Sequence, residues 1–317
     1  MRAALSETDL EIALLGPGGV GGLIAAVLSA SSVDVLVIAT EATREVLDQR
    51  GLRLSSVRFG ELTVHPRVSS TLDCPVDLLV AATKATGLAA ALDRVRAPVR
   101  VVLPLLNGID HIEYLRRRFP SSTVLAGAIR VESDRPEPGV IKHTSPFLRV
   151  DIAGGGAFDS DAERVASLLR SCGLPCRVDP SEADVMWGKL VRLNALACMT
   201  SAYDLSLGAI RDAPRLRAEL VAAVEEACTV AKAEGADVEP AVPLRELEAA
   251  HRGLGSSMQR DIAAGREPEL DAIAGAVLRA AARHQIACPT IERLAGIVAL
   301  RAGTAVPAAS SADHRPF

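Results

Sequence analysis

The residues of this 317-residue chain that could do chemistry fall into two groups, glycines spaced to admit a phosphate and a few polar side chains set among apolar ones. The glycines come first. Residues 10–23 read Leu-Glu-Ile-Ala-Leu-Leu-Gly-Pro-Gly-Gly-Val-Gly-Gly-Leu, so Gly16-x-Gly18-x-x-Gly21 follows directly on an apolar stretch. In such a pattern Gly16 allows a tight turn, Gly18 lets a pyrophosphate approach the backbone, and Gly21 lets a helix pack closely on a strand. Gly19 and Val20 complete the loop, and the N-terminus of the following helix offers N–H groups and a positive dipole end to the phosphates. No Gly-Lys-Ser/Thr ending is present, which argues against a P-loop hydrolase. The chemistry expected here is the binding of a dinucleotide.

Lys84 and Asn107 follow apolar stretches at Leu78 to Ala82 and Val99 to Leu103. In an open α/β sheet ligands bind outside the carboxyl ends of strands, where both residues are expected. Lys84 also reads as an ordinary loop lysine, and Asn107-Gly108 as a simple turn. Lys189, in Val-Met-Trp-Gly-Lys-Leu-Val, is the single lysine of an apolar helix. Partial burial would lower its pKa, and such an ammonium can protonate a carbonyl oxygen as negative charge develops there. A snorkelling lysine is the plainer alternative. Ser256 or Ser257 can cap a helix, and Glu269 suits a helix N-terminus.

The elements that must position these groups change character along the chain. Short apolar strands at Ile12 to Leu15, Val33 to Ile38, Leu78 to Ala82, Val99 to Leu103 and Val124 to Ile129 fit parallel strands buried on both faces. Crossover helices fit near Arg44 to Arg50, Gly87 to Val95 and Ile112 to Arg118, a further helix at Ala162 to Ser171, and small extra strands at Leu52 to Leu54 and Leu62 to Val64. Arg135 to His143 reads as turn-rich, Leu148 to Ile152 as a strand before a Gly154-Gly-Gly loop, and Val178 ends the last strand. From Ser181 onward the pattern is helical, with helices expected at Glu182 to Tyr203, Pro214 to Glu234, Pro243 to His251, Gly255 to Ala264, Glu269 to His284 and Thr290 to Leu300. The fold class expected is α/β: a Rossmann-type, doubly wound parallel sheet over residues 1–179, then an all-helical domain over 180–303. Residues 304–317 are expected to be a disordered tail. A cleft between two such domains is a common ligand site.

Composition limits the alternatives. Hydrophobic residues make up 49% of the chain, enough for two cores, and aromatics only 3%, so Ala, Leu and Val must fill them. A formal charge of −4 gives no electrostatic footprint for nucleic acid. No apolar run approaches the roughly 20 residues that span a bilayer, and Met1 to Asp9 lacks the apolar core of a signal peptide. The six cysteines form no Cys-x-x-Cys pair and read as reduced core fillers in a cytoplasmic protein. The six histidines are scattered, and no metal site is expected.

Taken together, Gly16-x-Gly18-x-x-Gly21, Thr-Lys84-Ala, Asn107-Gly108, Trp187-Gly-Lys189-Leu and Ser-Ser257-Met-x-x-Asp261-Ile-x-x-Gly-Arg-x-x-Glu269-Leu-Asp-Ala-Ile resemble the ketopantoate reductase (2-dehydropantoate 2-reductase) family. The resemblance runs from about Ile12 to Leu300. It implies that Lys189 is the catalytic lysine that protonates the ketone oxygen and that Glu269 helps orient the substrate beside it. It implies that Ser257 binds substrate, that Asn107 contacts substrate and cofactor, and that Lys84 lies near the nicotinamide end of the cofactor site. The implied activity is cytoplasmic, NADPH-dependent reduction of 2-dehydropantoate to pantoate in pantothenate biosynthesis, by a homodimer. The physical logic is coherent, because a carbonyl becoming an alkoxide needs a cation or donor beside it.

Two departures qualify that expectation. Many family members carry Asn four and eight residues after the catalytic lysine, where this chain has Leu193 and Ala197. Asn194, at an offset of five, points roughly 140° away on a helix and does not replace them. The pocket is therefore expected to be more apolar, and another branched 2-oxo acid is an alternative substrate. The second departure is at the cofactor. Thr40 stands where the family places an arginine for the 2′-phosphate of NADP, and Glu41 lies 20 residues beyond Gly21, where a carboxylate suits the ribose diol of NAD. Arg44, one turn on, is still able to meet a phosphate. NADP is the expected cofactor and NAD the alternative. A dinucleotide-binding sensor without catalysis is the rival from another class, because a doubly wound fold does not by itself imply chemistry.

Overall fold

The computed structural model describes residues 10–154 and 159–308. Two compact units make up the chain: residues 10–106 with 111–185, and residues 107–110 with 186–308. The division falls between Val185 and Met186, inside the helix Glu182–Tyr203. Residues 107–110 join the second unit, which a single cut along the sequence does not foresee.

The first unit is built on a parallel six-stranded sheet in the spatial order Arg67–Ser69, Val35–Ile38, Ile12–Leu15, Val76–Ala81, Val99–Pro104, Thr123–Val124. Ile12–Leu15 pairs with Val35–Ile38 on one side and Val76–Ala81 on the other, so the strand order reverses beside it. Both faces are covered, and all four residues of Ile12–Leu15 are buried. That is why Ile12–Leu15 and Val35–Ile38, at the centre of the sheet, are continuous apolar runs without alternation.

The helix Gly19–Ala30 follows the first strand, and Gly21–Leu28 are buried without interruption. A helix apolar all round must be covered on more than one side. Its second cover is a four-stranded sheet, ordered Ser133–Glu137, Val140–His143, Leu52–Ser56, Gly60–Val64. Two of these strands lie in the segment expected to be turn-rich. Pro136, Pro138 and Gly139 supply the turn signal, but they sit in and at the tip of a hairpin, not in a loop.

The expected strand Val124 to Ile129 is also corrected. Thr123–Val124 ends the parallel sheet, and Ala126–Arg130 belongs to a separate three-stranded sheet with Arg149–Ala153 and Cys176–Asp179. A Cβ on Gly127 would lie 2.7 Å from Leu103 Cδ1 and would meet the Pro104 carbonyl, so a glycine permits the close approach where the chain changes sheets.

The second unit is helical, with residues 186–203 of Glu182–Tyr203 and with Leu207–Asp212, Pro214–Ala233, Ala241–Ala249, Ser257–Ala263, Ala276–Arg283 and Pro289–Ala302 as its described helices. Leu207–Asp212 was not expected. Ser206 Oγ accepts the Ala209 N–H as its N-cap. The Glu226 carboxylate accepts the N–H groups of Thr290 and Ile291 at 2.9 and 3.0 Å, capping the last helix from a distance. The expected helix Glu269 to His284 opens instead with a π-helical turn, Asp271–Gly275. Residues 304–308 follow the last helix without regular structure. The rest of the expected tail, Met1 to Asp9, and two glycines of the Gly154-Gly-Gly loop lie outside the described residues.

Candidate active site

In the first unit the glycine fingerprint occupies the turn from Ile12–Leu15 into Gly19–Ala30, at the point where the strand order reverses. Ligands of doubly wound sheets bind outside the strand ends there. Gly16 has φ +90°, a conformation that side chains resist, and a Cβ on it would come within 2.6 Å of Thr83 Cγ2. A Cβ on Gly21 would strike the Gly16 carbonyl oxygen and crowd Leu14 and Ala82, so helix and strand touch only because Gly21 has no side chain. Gly18 differs. Its nearest obstacle to a Cβ is Ala82 O at 3.9 Å, and its backbone is extended, so the protein itself does not require glycine there. No side chain caps the helix that Gly18 opens, which leaves its first N–H groups to a ligand. Space over Gly18 and an uncapped helix start suit a pyrophosphate.

Gly19 and Val20 form the first helical turn. Gly19 carries a second constraint, because the Ser133 carbonyl occupies the place of its Cβ, and Ser133 Oγ donates to Gly19 O at 2.7 Å. Ser133 thus braces the glycine loop from the neighbouring sheet, and no sequence signal marks it.

At the end of the second strand, Thr40 is exposed and caps the helix Glu41–Arg50: its Oγ1 accepts the Thr43 N–H at 3.4 Å and donates to Thr43 Oγ1 at 3.1 Å. Arg44 turns back on its own helix. Its Nε donates to Glu41 Oε1 at 3.0 Å and its Nη1 to Asp48 Oδ2 at 2.6 Å. The hydrogen bond from Arg44 holds the Glu41 carboxyl below the usual carboxylate range. Lys84 is exposed, three residues after Val76–Ala81, at the start of the short 3₁₀ turn Ala85–Gly87.

The other predicted residues, Asn107, Lys189, Ser257 and Glu269, all lie in the second unit. Lys189 is half-buried on Glu182–Tyr203, with Trp187 and Leu190 buried beside it. One turn on, Leu193 is half-buried and Ala197 is buried, and Asn194 is wholly buried. Asn194 Oδ1 accepts from Cys198 Sγ at 3.5 Å, and burial pushes that thiol up to about 12.

Ser256, not Ser257, is the helix cap. Its Oγ accepts the Gln259 N–H at 3.0 Å and the Thr200 hydroxyl at 2.8 Å. Ser257 is the first helical residue and is exposed. Asp261 is buried and accepts from Arg266 Nε at 2.8 Å.

Glu269 is 6% exposed and precedes the π-helical turn. Asn107, 162 positions earlier, donates its Nδ2 hydrogen to Glu269 Oε2 at 2.8 Å. Gly108, at φ +83°, abuts the Ala272 carbonyl in that turn. The structure therefore brings Asn107 and Glu269 together, and it keeps the Thr40, Glu41 and Arg44 group within the first unit.

Comparison with known proteins gives the family. The model of the ketopantoate reductase PanE/ApbA family matches residues 12–153, and that of its C-terminal region matches residues 183–302. The chain is 31% identical to the 2-dehydropantoate 2-reductase of Mycobacterium tuberculosis over 91% of this chain and 96% of that one. Its fold is similar to that of D-mandelate dehydrogenase solved with NADH and anilino(oxo)acetate, with a TM-score of 0.84, 21% identity, and coverage of 93% of this chain and 99% of that one. It is also similar to the dimeric ketopantoate reductase of Staphylococcus aureus, with a TM-score of 0.78, 17% identity, and coverage of 93% and 99%. The chain belongs to the ketopantoate reductase PanE/ApbA family, and is an oxidoreductase that acts on a CH–OH group with a nicotinamide dinucleotide.

Proposed function

We propose that this protein reduces a branched 2-oxo acid to the 2-hydroxy acid, with 2-dehydropantoate as the first substrate and pantoate, for pantothenate biosynthesis, as its product. The observation that carries the proposal is the Asn107–Glu269 hydrogen bond: two residues far apart in the chain, each marked out by the family resemblance, meet at 2.8 Å with the carboxyl group buried.

Gly16, Gly18, Gly19, Val20 and Gly21 hold the pyrophosphate, and Lys84 lies toward the nicotinamide end. When bound, the reduced nicotinamide supplies a hydride to the ketone carbon. Lys189 donates its ammonium proton to the carbonyl oxygen as the negative charge develops, which a half-buried cation does better than a solvated one. The lysine is left neutral and regains its proton from water. Glu269, oriented by Asn107, and the exposed hydroxyl of Ser257 hold the substrate in place. Leu193, half-buried one turn after Lys189, presents no amide, so the side chain of the oxo acid meets an apolar surface there.

The family expectation for the cofactor is NADPH. One specific observation favours NADH as a second reading: the Arg44 guanidinium is already engaged by Glu41 and Asp48. A 2′-phosphate would have to draw that arginine away while facing the Glu41 carboxylate, whereas a ribose diol can donate to it. The D-mandelate dehydrogenase of similar fold was solved with NADH, which supports the same reading.

The proposal includes a homodimer in the cytoplasm. The dimeric relative from Staphylococcus aureus supports the dimer. No helix is long and apolar enough to cross a membrane among the described residues.

The test is loss of reduced-cofactor absorbance with purified protein, NADPH or NADH, and a panel of 2-oxo acids. Turnover of 2-dehydropantoate or of another branched 2-oxo acid is expected. No turnover of any member with either cofactor contradicts the proposal, and the ratio of kcat/KM for the two cofactors decides between them.

A further inference from the structure

Arg279 is the least exposed charged residue in the second unit's helical turns around Glu269, at 3% accessibility. Its Nη2 donates to Asp110 Oδ2 at 2.7 Å and to the Asp271 carbonyl at 3.0 Å, and its Nη1 donates to Asp271 Oδ1 at 2.8 Å. Burial opposes its charge, but the Asp271 and Asp110 carboxylates outweigh burial and raise its pKa above the ordinary arginine value. Asp110 ends the four-residue stretch that begins with Asn107, and Asp271 opens the π-helical turn two residues after Glu269.

We propose that Arg279 is a positioning residue for reduction of the 2-oxo acid: it clamps the Asn107–Asp110 turn to the π-helical turn and so sets the Asn107–Glu269 pair. The inference rests on the substrate role given to that pair above. Three contacts join the two segments: the Asn107–Glu269 hydrogen bond, the packing of Gly108 on the Ala272 carbonyl, and the Asp110–Arg279–Asp271 bridge. Only the bridge is made by a group that presents several fixed donors to two carboxylates at once. Lysine, a point charge with no planar fork, does not reproduce it. The π-helical turn makes such a tie necessary, because the widened turn places residues 271–275 out of ordinary helical register. Small displacements of orienting groups are enough to cost one to two orders of magnitude in rate.

The experiment uses the full-length protein carrying Arg279→Lys, with Asp110→Asn as a milder variant whose site is partly solvent-exposed. Hydrogen–deuterium exchange is read at residues 107–110 and 271–275, and kinetics are measured with 2-dehydropantoate and with 2-oxoisovalerate. Both variants should exchange faster at those two segments and unchanged in the first unit. Arg279→Lys should lower kcat about ten- to a hundred-fold, with the cofactor KM within about two-fold of the parent. Combined with Glu269→Gln, it should add little, because both act through one pair. Parental exchange and parental kcat in both variants overturn the proposal. So does full additivity with Glu269→Gln. If Arg279→Lys fails to fold, Asp110→Asn carries the test alone. If Asn107→Ala and Glu269→Gln leave turnover at the parental level, the substrate role of the pair fails, and the catalytic half of this inference fails with it. Exchange then reports separately whether the clamp exists.

Discussion

Replacing Gly18 and Gly21 by alanine, one at a time, separates two demands that the glycine fingerprint makes. Gly21 lacks room, since a Cβ there would strike the Gly16 carbonyl and sit 3.1 Å from Leu14 Cδ2 and 3.2 Å from Ala82 Cβ. Backbone cannot move aside as a flexible side chain can, so the cost lies in the overpacking range of about 1–3 kcal/mol. Gly18 has room. Its φ is −79° and ψ −164°, and the nearest atom to a Cβ is 3.9 Å away. Alanine at a compatible position gains about 0.4–1 kcal/mol through the unfolded state, and a loss of similar size opposes it because Gly18 is a helix N-cap, where glycine is favoured over alanine. The space a Gly18 Cβ fills is the space assigned to the pyrophosphate. Loss of one or two hydrogen bonds to a charged group, about 1.5–3 kcal/mol each, weakens cofactor binding by about ten-fold or more. The assays are thermal unfolding without cofactor and calorimetric titration with NADPH and NADH. Gly18→Ala should keep Tm and weaken binding, and Gly21→Ala should lower Tm. A Gly18→Ala protein that melts early yet binds cofactor as the parent does refutes the reasoning, because the glycine would then serve the fold and not the ligand.

Other expectations concern the cofactor's far end and a buried histidine. Glu41→Ala releases Arg44 from its nearest partner and removes the carboxylate, so the ratio of kcat/KM for NADPH to that for NADH should rise about ten-fold; an unchanged ratio removes Glu41 from cofactor choice. His143 is 1% exposed, bonded to Ser56 Oγ through Nδ1 at 2.8 Å, and burial followed by the Arg58 charge lowers its pKa below 6.5. The unfolded chain therefore takes up a proton that the folded chain refuses as pH falls through 6.5 toward the folded value. That contribution destabilises the fold progressively over the window and is absent above it. Thermal unfolding across pH 5 to 7.5 should show a Tm loss on acidification that His143→Gln reduces, and an identical pH profile in the variant contradicts this assignment.

Local requirements were legible in the sequence and long-range ones were not. The strand–turn–helix around Gly16 was readable because a positive φ and a helix pressed on a strand both demand glycine at fixed offsets within six residues. The helix Glu182–Tyr203 was readable to its ends from its apolar run. By contrast, Val124 to Ile129 is one apolar run, and nothing in it marks Leu125 as the point where the chain leaves one sheet for another. Prolines at 136 and 138 masked a hairpin, and with it Ser133, the brace on Gly19. Asn107 and Glu269 could each be singled out by family resemblance, but their hydrogen bond depends on residues 107–110 packing with the second unit, which no local pattern encodes. Arg279, in the run Val-Leu-Arg-Ala-Ala-Ala, has the look of a solvated helix position and is one of the most buried charges among the described residues.

The central claim is that the Lys189 ammonium delivers the proton in a 2-oxo-acid reduction. Steady-state kinetics of Lys189→Ala on 2-dehydropantoate, set beside calorimetric affinity for the reduced cofactor, tests it most directly. The account predicts a fall in kcat of about a hundred- to ten-thousand-fold with cofactor affinity held within about two-fold. A kcat near that of the parent, or an equal collapse of turnover and cofactor affinity, contradicts it.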